Sequence, residues 1–189
     1  MSADIDSGPC AVGRGRAGGP TVTRSSAEET AALRRAVLRP NLSIHEMAMA
    51  GDQNPDTAYL AVRAPGGDRA VLGCVRLEPV SCPWPEALQA PARAAWQLRA
   101  MATDPAVRGS GLGRLLVESA MEHVSQRGGD LIWCNARVGA EQFYFRLGFR
   151  PVTAPFQMPD VAEDHVGMVR RVLQSERPGE AQRTGSGQG

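Results

Sequence analysis

The stretch Arg108-Gly109-Ser110-Gly111-Leu112-Gly113-Arg114 decides the fold, because it joins an apolar strand pattern at 95–103 to a helical pattern that starts at Leu112. Glycines at alternate positions let the backbone turn tightly and leave its N–H groups uncovered. The helix that follows directs the positive end of its dipole toward whatever those N–H groups hold. A strand, a glycine-rich loop and a helix N-terminus together predict a phosphate-binding site.

Two common nucleotide-binding motifs do not fit this loop. A Walker loop requires Gly-Lys-Ser/Thr, whereas Gly113 is followed by Arg114 and Leu115. A dinucleotide-binding fingerprint requires GxGxxG, whereas the spacing in this chain is GxGxG. A third interpretation depends on a second motif further along the chain.

Composition indicates one globular domain. The chain has 189 residues, 42% of them hydrophobic, which is enough for a core, and its net charge of +1 gives no general attraction to nucleic acid or anionic lipid. No apolar run reaches the length of about 18 residues that a membrane span requires, and the acidic N-terminus is not typical of a secretory signal. The four cysteines form no CxxC pair and are expected to be reduced thiols, mostly buried, in a cytoplasmic protein: Cys10, Cys74, Cys82 and Cys134.

Glycine-rich and polar ends flank this domain. Residues 1–19 and 174–189 lack the apolar surface that would offset the entropy of ordering, so they are expected to be disordered tails around a domain at 20–173. Within the domain, Ser26 and Glu29 predict a capping box for a helix at 27–38, and the turn Pro65–Asp68 predicts a hairpin. The remaining pattern predicts roughly seven strands and three or four helices: strands near 21–24, 57–62, 70–77, 95–103, 131–134, 151–152 and 165–172, and helices near 27–38, 112–127 and 140–147.

A second motif follows the glycine loop by some thirty residues. It is Ala140-Glu141-Gln142-Phe143-Tyr144-Phe145-Arg146-Leu147-Gly148-Phe149. Together with Met101–Gly113 it resembles the motifs of the Gcn5-related N-acetyltransferase (GNAT) family, over about 21–173 and most strongly over 96–149. Residues 33–37 and 159–168 also resemble the ElaA-type branch. The resemblance implies an α/β (α+β) fold with a mixed, mostly antiparallel, seven-stranded sheet flanked by three to four helices.

The resemblance also implies that acetyl-CoA is the co-substrate. The loop from Arg108 to Gly113 would bind its pyrophosphate through backbone N–H groups, and the pantetheine arm would pair with the strand at 101–103. Arg114 could add a charge to a phosphate or be an ordinary solvated arginine. The implied binding residues are Met101, Ala102, Thr103, Arg108, Gly109, Ser110, Gly111, Leu112, Gly113, Arg114 and Arg137.

Tyr144 is the residue that the resemblance implies for catalysis. A phenol with a pKa of about 10 can give its proton to a departing thiolate. Phe143 and Leu147 lie on one helix face, so the alternative is that Tyr144 is only a core aromatic. No cysteine has a partner base in its motif context, which favours direct attack by the amine over a covalent acyl-enzyme.

Two departures from the family pattern leave roles open. Arg137 stands where relatives often carry an asparagine that bonds the coenzyme, and Asn135 is the alternative for that role. The strands at 96–99 and 131–134 lack the glutamate that many relatives use as a base. The candidates elsewhere are Glu78, Asp52, Asp56, His165 and a water relay.

The sequence therefore predicts an N-acyltransferase, with acetyl as the expected group, that moves the acyl group from acyl-CoA to an amine. The alternative is a non-catalytic CoA-binding regulatory or interaction domain on the same fold. Arg34, Arg99 and Trp84 could face the acceptor, and each also has an ordinary structural explanation. No metal, nucleic-acid or membrane partner is expected, and the protein is expected to be a monomer or a homodimer.

Overall fold

The computed structural model describes residues 19–64, 70–159 and 161–173. The predicted turn Pro65–Asp68, Cys10 and nearly all of the two predicted tails lie outside these residues. The domain bounds therefore stay a prediction. No helix of the described residues is both long and apolar enough to cross a membrane.

The chain opens with strand β1 (Val22–Ser25) and helix α1 (Ala27–Leu38). The capping box is present as predicted, because the Ser26 hydroxyl accepts from the Glu29 N–H while the Glu29 carboxylate accepts from the Ser26 N–H, both at 3.1 Å. The helix ends at Arg39, before Pro40. Local sequence signals fixed both ends of this helix.

Two antiparallel strands, β2 (Ala58–Arg63) and β3 (Val71–Glu78), follow a long loop. Strand β4 (Ala95–Thr103) and helix α2 (Leu112–Gln126) flank the glycine loop. Helix α2 ends where predicted, and Gly128 has a left-handed φ of 76° that favours glycine. All these elements agree with the predicted ones to within a residue or two.

The C-terminal part contains β5 (Leu131–Arg137), α3 (Glu141–Arg146), β6 (Arg150–Pro151), β7 (Phe156–Gln157) and β8 (Asp164–Arg171). Strand β5 is three residues longer than predicted, because residues 135–137 pair with β8. Helix α3 ends in a Schellman motif, in which the Phe149 N–H donates to the Tyr144 carbonyl at 3.1 Å and Gly148 has a φ of 78°. The predicted glycine cap is confirmed.

The strands form one sheet in the order β1-β2-β3-β4-β5-β8-β6, with β7 also paired to β8. All pairs are antiparallel except β4 with β5. The predicted mixed, mostly antiparallel sheet is therefore confirmed. It has eight strands rather than seven, because the two-residue strand β7 has no pattern that sequence reasoning could detect.

The two long helices pack on opposite faces of the sheet. Helix α2 buries Leu116 and Ala120 against Leu60 and Val75 in the main core. On the other face, Leu33 of α1 packs in a smaller cluster. Because successive strand residues point to opposite sides, this second face, called the α1 face below, carries a separate set of side chains. The residues that pack with Leu33 on the α1 face are Ala61, Cys74 and Ala102.

The parallel strands β4 and β5 separate after a short contact. They pair only from Ala95 with Leu131 to Gln97 with Trp133. Beyond that point β4 contains a bulge, where the register with β3 shifts and Ala100 takes a left-handed φ of 49°. The bulge bends β4 away from β5 and opens a split in the sheet.

Candidate active site

A cleft of about 910 Å³ opens at the end of this split. It lies between the C-terminal ends of β4 and β5, the glycine loop, and the C-terminal end of α1. Every predicted coenzyme-binding residue except Ser110 lines this cleft. Tyr144 lines it as well. The lining also includes Val37, Leu38, Val107, Val138, Gly139, Ala140, Phe143, Arg146, Leu147, Glu163 and Asp164.

The glycine loop has the backbone geometry that the sequence predicts. Gly109 and Gly111 have φ values of 81° and 88°, and a Cβ atom at either position would meet open space. The first hydrogen bond of α2 runs from the Leu115 N–H to the Gly111 carbonyl at 3.0 Å. Residues 112–114 begin this helix of 15 residues, and their N–H groups therefore have no acceptor within it. These N–H groups suit an anion.

Ser110 is placed differently from its neighbours in the loop. Its hydroxyl and its N–H both donate to the Val107 carbonyl, at 2.6 and 3.3 Å. These bonds close a turn that follows a short 3₁₀ helix at Pro105–Val107, which the sequence did not predict. Nothing in its placement supports the predicted contact of Ser110 with a phosphate.

Arginines give the cleft a positive lining. Arg108, Arg114, Arg137 and Arg146 line it, opposed by the carboxylates of Glu163 and Asp164. The Arg114 side chain is 71% exposed and pairs with Glu118 at 2.6 Å, so both interpretations that the sequence left open for it remain compatible with its position. A positive lining is favourable to a polyphosphate ligand.

Arg137 bridges the two sides of the cleft. Its guanidinium donates to the Leu38 carbonyl at 3.2 Å and pairs with Glu163 at 3.4 Å. Asn135, the alternative that the sequence left open, is absent from the cleft lining. Its amide contacts the Met158 sulfur at 3.4 Å, and its Oδ1 atom is buried without a partner among the described residues.

Tyr144 lies where the cleft meets the main core. Its ring packs edge-on against Phe143 and Phe149, with centroids 5.1 and 5.3 Å away, and its hydroxyl lies 3.5 Å from the Met101 sulfur. Burial raises the pKa of this phenol well above its usual value, and the nearby Cys134 thiol raises it further. The side chain is therefore both part of the core and a protonated group at the cleft wall.

Two of the base candidates form a buried ion network on the α1 face. Asp52 accepts from the Tyr59 hydroxyl at 2.7 Å and from the Arg76 Nε at 3.1 Å. Glu78 pairs with Arg76 and, at 3.3 Å, with Arg99. Burial and the bond to Asp52 raise the pKa of Tyr59. Each carboxylate is paired with an arginine and lies outside the cleft lining.

The other two candidates are also outside the cleft lining. Asp56 is exposed and lies 3.7 Å from Arg127. His165 is buried on β8, opposite Arg137 of β5, and its Nδ1 has no partner among the described residues. The carboxylates that do line the cleft, Glu163 and Asp164, were not among the predicted candidates.

The candidate acceptor residues have unequal positions. Arg34 is buried, not facing an acceptor as predicted, and donates to the Met47 and Ala27 carbonyls at 2.9 and 2.8 Å. Trp84 covers Gly167, where a Cβ atom would lie 2.5 Å from its ring. Arg99 is 39% exposed. Arg76, which sequence reasoning missed, is fully buried, and only the arrangement of its carboxylate partners in space marks it.

Comparison with known proteins agrees with this geometry. The acetyltransferase (GNAT) domain family matches residues 55–151, which is about half of the chain. The chain belongs to the GNAT family. N-acetyltransferase is therefore the activity that the family indicates.

Individual relatives match a larger share of the chain than the family model does. An uncharacterized N-acetyltransferase of Bacillus subtilis (strain 168), YitI, is 29% identical over 150 residues, which are 79% of this chain and 95% of YitI. NAA60 of Arabidopsis thaliana, solved with acetyl-CoA, shares the fold at a TM-score of 0.65 and 12% identity, over 82% of this chain and 99% of its own. Escherichia coli ElaA also shares the fold, at a TM-score of 0.55 and 16% sequence identity, over 80% of this chain and 99% of its own.

Proposed function

We propose that this GNAT protein transfers an acetyl group from acetyl-CoA to an amine by direct attack within a ternary complex. One observation carries the proposal: the glycine loop at the start of α2 and Tyr144 line the same cleft, which opens between two separated strands. A phosphate site and a proton donor in one cleft would suit a thioester carried on a long phosphorylated arm.

The residues present fit acetyl-CoA. The N–H groups at the start of α2 and the Arg108 and Arg114 side chains would hold the pyrophosphate. The edge of β4 at 101–103 faces the split rather than β5, so an extended pantetheine arm could add there as a strand does. Gly113 lets α3 approach this path, since a Cβ atom there would lie 3.3 Å from Phe143.

The reaction needs a proton removed from the amine and one supplied to sulfur. Acetyl-CoA supplies the activated acyl group. The neutral amine nitrogen attacks the thioester carbonyl carbon, a C–N bond forms, and the C–S bond then breaks. A main-chain N–H of β4 would stabilise the charge on the carbonyl oxygen. The Tyr144 hydroxyl would donate its proton to the departing sulfur, and the amine would lose its proton to water.

Water is the proposed base because none of the four side chains that the sequence offered for this role lies in the cleft lining. Asp52 and Glu78 are paired with Arg76, and Asp56 with Arg127.

Calorimetric titration with acetyl-CoA tests the binding site through a matched pair of variants. Gly111→Asn and Gly111→Asp have nearly the same shape, and both residue types tolerate a left-handed φ. Because only the aspartate adds a negative charge beside the phosphates, it is expected to weaken binding by at least about tenfold relative to the asparagine variant. Equal affinities for the two variants would contradict a phosphate site at this loop.

A thiol-release assay over an amine panel then separates the enzyme from the alternative. Acetyl-CoA binding followed by amine-dependent thiol release supports the transferase. Tight binding with no release for any amine would support the non-catalytic CoA-binding domain.

A further inference from the structure

The α1 face of the sheet carries a row of charged side chains that leads to the split. Register pairs align Tyr59 of β2 with Arg76 of β3, and Arg76 with Arg99 of β4. Arg76 is fully buried, and its charge is compensated by Asp52 and Glu78. Arg99, at the outer end of the row, is the second cation that balances these two carboxylates.

Most N–H donors of the Arg99 guanidinium have no acceptor among the described residues. This guanidinium is 39% exposed and, among the described residues, makes a single hydrogen bond, at 3.3 Å to the Glu78 Oε1. A guanidinium has five N–H donors in a planar fork that matches a carboxylate. Arg76 and Arg99 together match the charges of the two carboxylates, so the network is neutral as a whole. Its exposed end is the Arg99 guanidinium, which makes one of its five possible N–H bonds among the described residues.

Arg99 and Asn135 occupy equivalent positions on the two separating strands. The last parallel pair joins Gln97 to Trp133, and the next residues on the same face are Arg99 and Asn135. The Oδ1 atom of Asn135 is buried without a donor, while the Nδ2 atom contacts only the Met158 sulfur among the described residues. A buried carbonyl oxygen without a donor is costly, and a ligand N–H would remove that cost.

An apolar wall completes this surface. Met158 touches Asn135, and Trp84 lies on Gly167, the register partner of Asn135. The Trp84 ring also contacts Phe156, with centroids 6.3 Å apart, and these three apolar side chains are only half-buried. One charged, one polar and one apolar recognition element thus adjoin the split.

We propose that the acceptor is an amine that carries a carboxylate and an apolar substituent, as an apolar α-amino acid does. This inference rests on the proposed transferase function. Arg99 binds the carboxylate, the Asn135 Oδ1 accepts from the amine nitrogen, and the wall of Trp84, Phe156 and Met158 receives the apolar group. Polyamines lack the carboxylate, so the N–H donors of Arg99 would have no partner on them.

The test compares amino acids with their decarboxylated counterparts in the thiol-release assay: phenylalanine with phenethylamine, leucine with isopentylamine, and methionine with 3-methylthiopropylamine. In the wild type, kcat/KM is expected to favour the amino acids by at least about tenfold. Arg99→Gln is expected to reduce this preference at least about tenfold and to leave acetyl-CoA affinity unchanged. Taking the ratio between the two proteins cancels differences in amine basicity.

Arg127→Gln is the matched control, because Arg127 is 45% exposed and also pairs with one carboxylate, at the far end of α2. This variant should keep the wild-type preference. The proposal is overturned if the decarboxylated amines react as well as the amino acids, if Arg99→Gln keeps the preference, or if no amino acid reacts with or binds to the CoA-loaded protein. Loss of acetyl-CoA binding in the wild type would instead overturn the proposed function itself.

Discussion

Tyr144 shows how one residue can serve the core and the chemistry. Its ring is fixed by Phe143 and Phe149, yet its hydroxyl makes only a long contact with the Met101 sulfur among the described residues. The sequence motif predicted the residue type and left both roles open. The structure places the ring in the core and the residue in the lining of the cleft.

Removal of that hydroxyl is expected to affect turnover alone. Tyr144→Phe should lower kcat at least about tenfold, because general acid catalysis by a placed side chain contributes about 10²–10⁴-fold. Acetyl-CoA affinity and the melting temperature should stay close to wild type, since only a weak contact to sulfur is lost. Stopped assays measure kcat, and calorimetry on the same preparation measures the acetyl-CoA affinity and the melting temperature. An unchanged kcat would remove Tyr144 from the proton transfer.

The variant Phe145→Leu is the control for Tyr144→Phe. Phe145 lies on the same helix and is 61% exposed. Its substitution should change neither turnover nor affinity.

Among the secondary-structure elements, local sequence signals determine some features and tertiary contacts determine others. Helix α1 followed from its capping box and from Pro40, because both act within a few residues. The bulge in β4 did not follow from sequence, since alanine gives no sign of a left-handed conformation. Ala100 takes this conformation because residues on each side of it are held in register with β3.

The strain at Ala100 predicts opposite effects for the same substitution at two positions in β4. Ala100→Gly should raise the free energy of unfolding by about 1 kcal/mol, because a left-handed φ is unfavourable for alanine and not for glycine. Ala102→Gly should lower it by roughly 1 kcal/mol, because Ala102 is a buried strand residue. Urea unfolding measures both. A loss of stability in Ala100→Gly would show that the bulge is unstrained.

At the scale of the whole molecule, the sheet buries a histidine where helix α2 meets β4. His123 packs edge-on against Trp96, with centroids 5.7 Å apart, and its Nε2 has no partner among the described residues. Burial lowers its pKa from 6.5 to about 4, and the charges of Arg24 and Arg127 contribute. Above pH 6.5 the ring is neutral in both the folded and the unfolded chain. Below that pH the unfolded chain takes up the proton first.

The free energy of unfolding should therefore fall as the pH drops from 6.5 toward 4. Between pH 7.5 and pH 5, His123 is expected to account for a loss of about 2 kcal/mol. His123→Gln should remove that part of the pH dependence, whereas His45→Gln, at an exposed position, should keep it. Urea unfolding of the three proteins at both pH values measures the difference. Equal slopes for the wild type and His123→Gln would contradict a buried neutral ring.

The sequence by itself determined the helices, most strands, the glycine loop and the family motifs, because each depends on residues close together in the chain. Gly109, Gly111 and the Gly148 cap needed only local backbone geometry. The tertiary structure alone decided which distant side chains meet. It buried Arg34, paired Arg76 with two carboxylates, and separated β4 from β5 beyond Gln97 and Trp133. Such contacts depend on strand order and register, which no local pattern encodes.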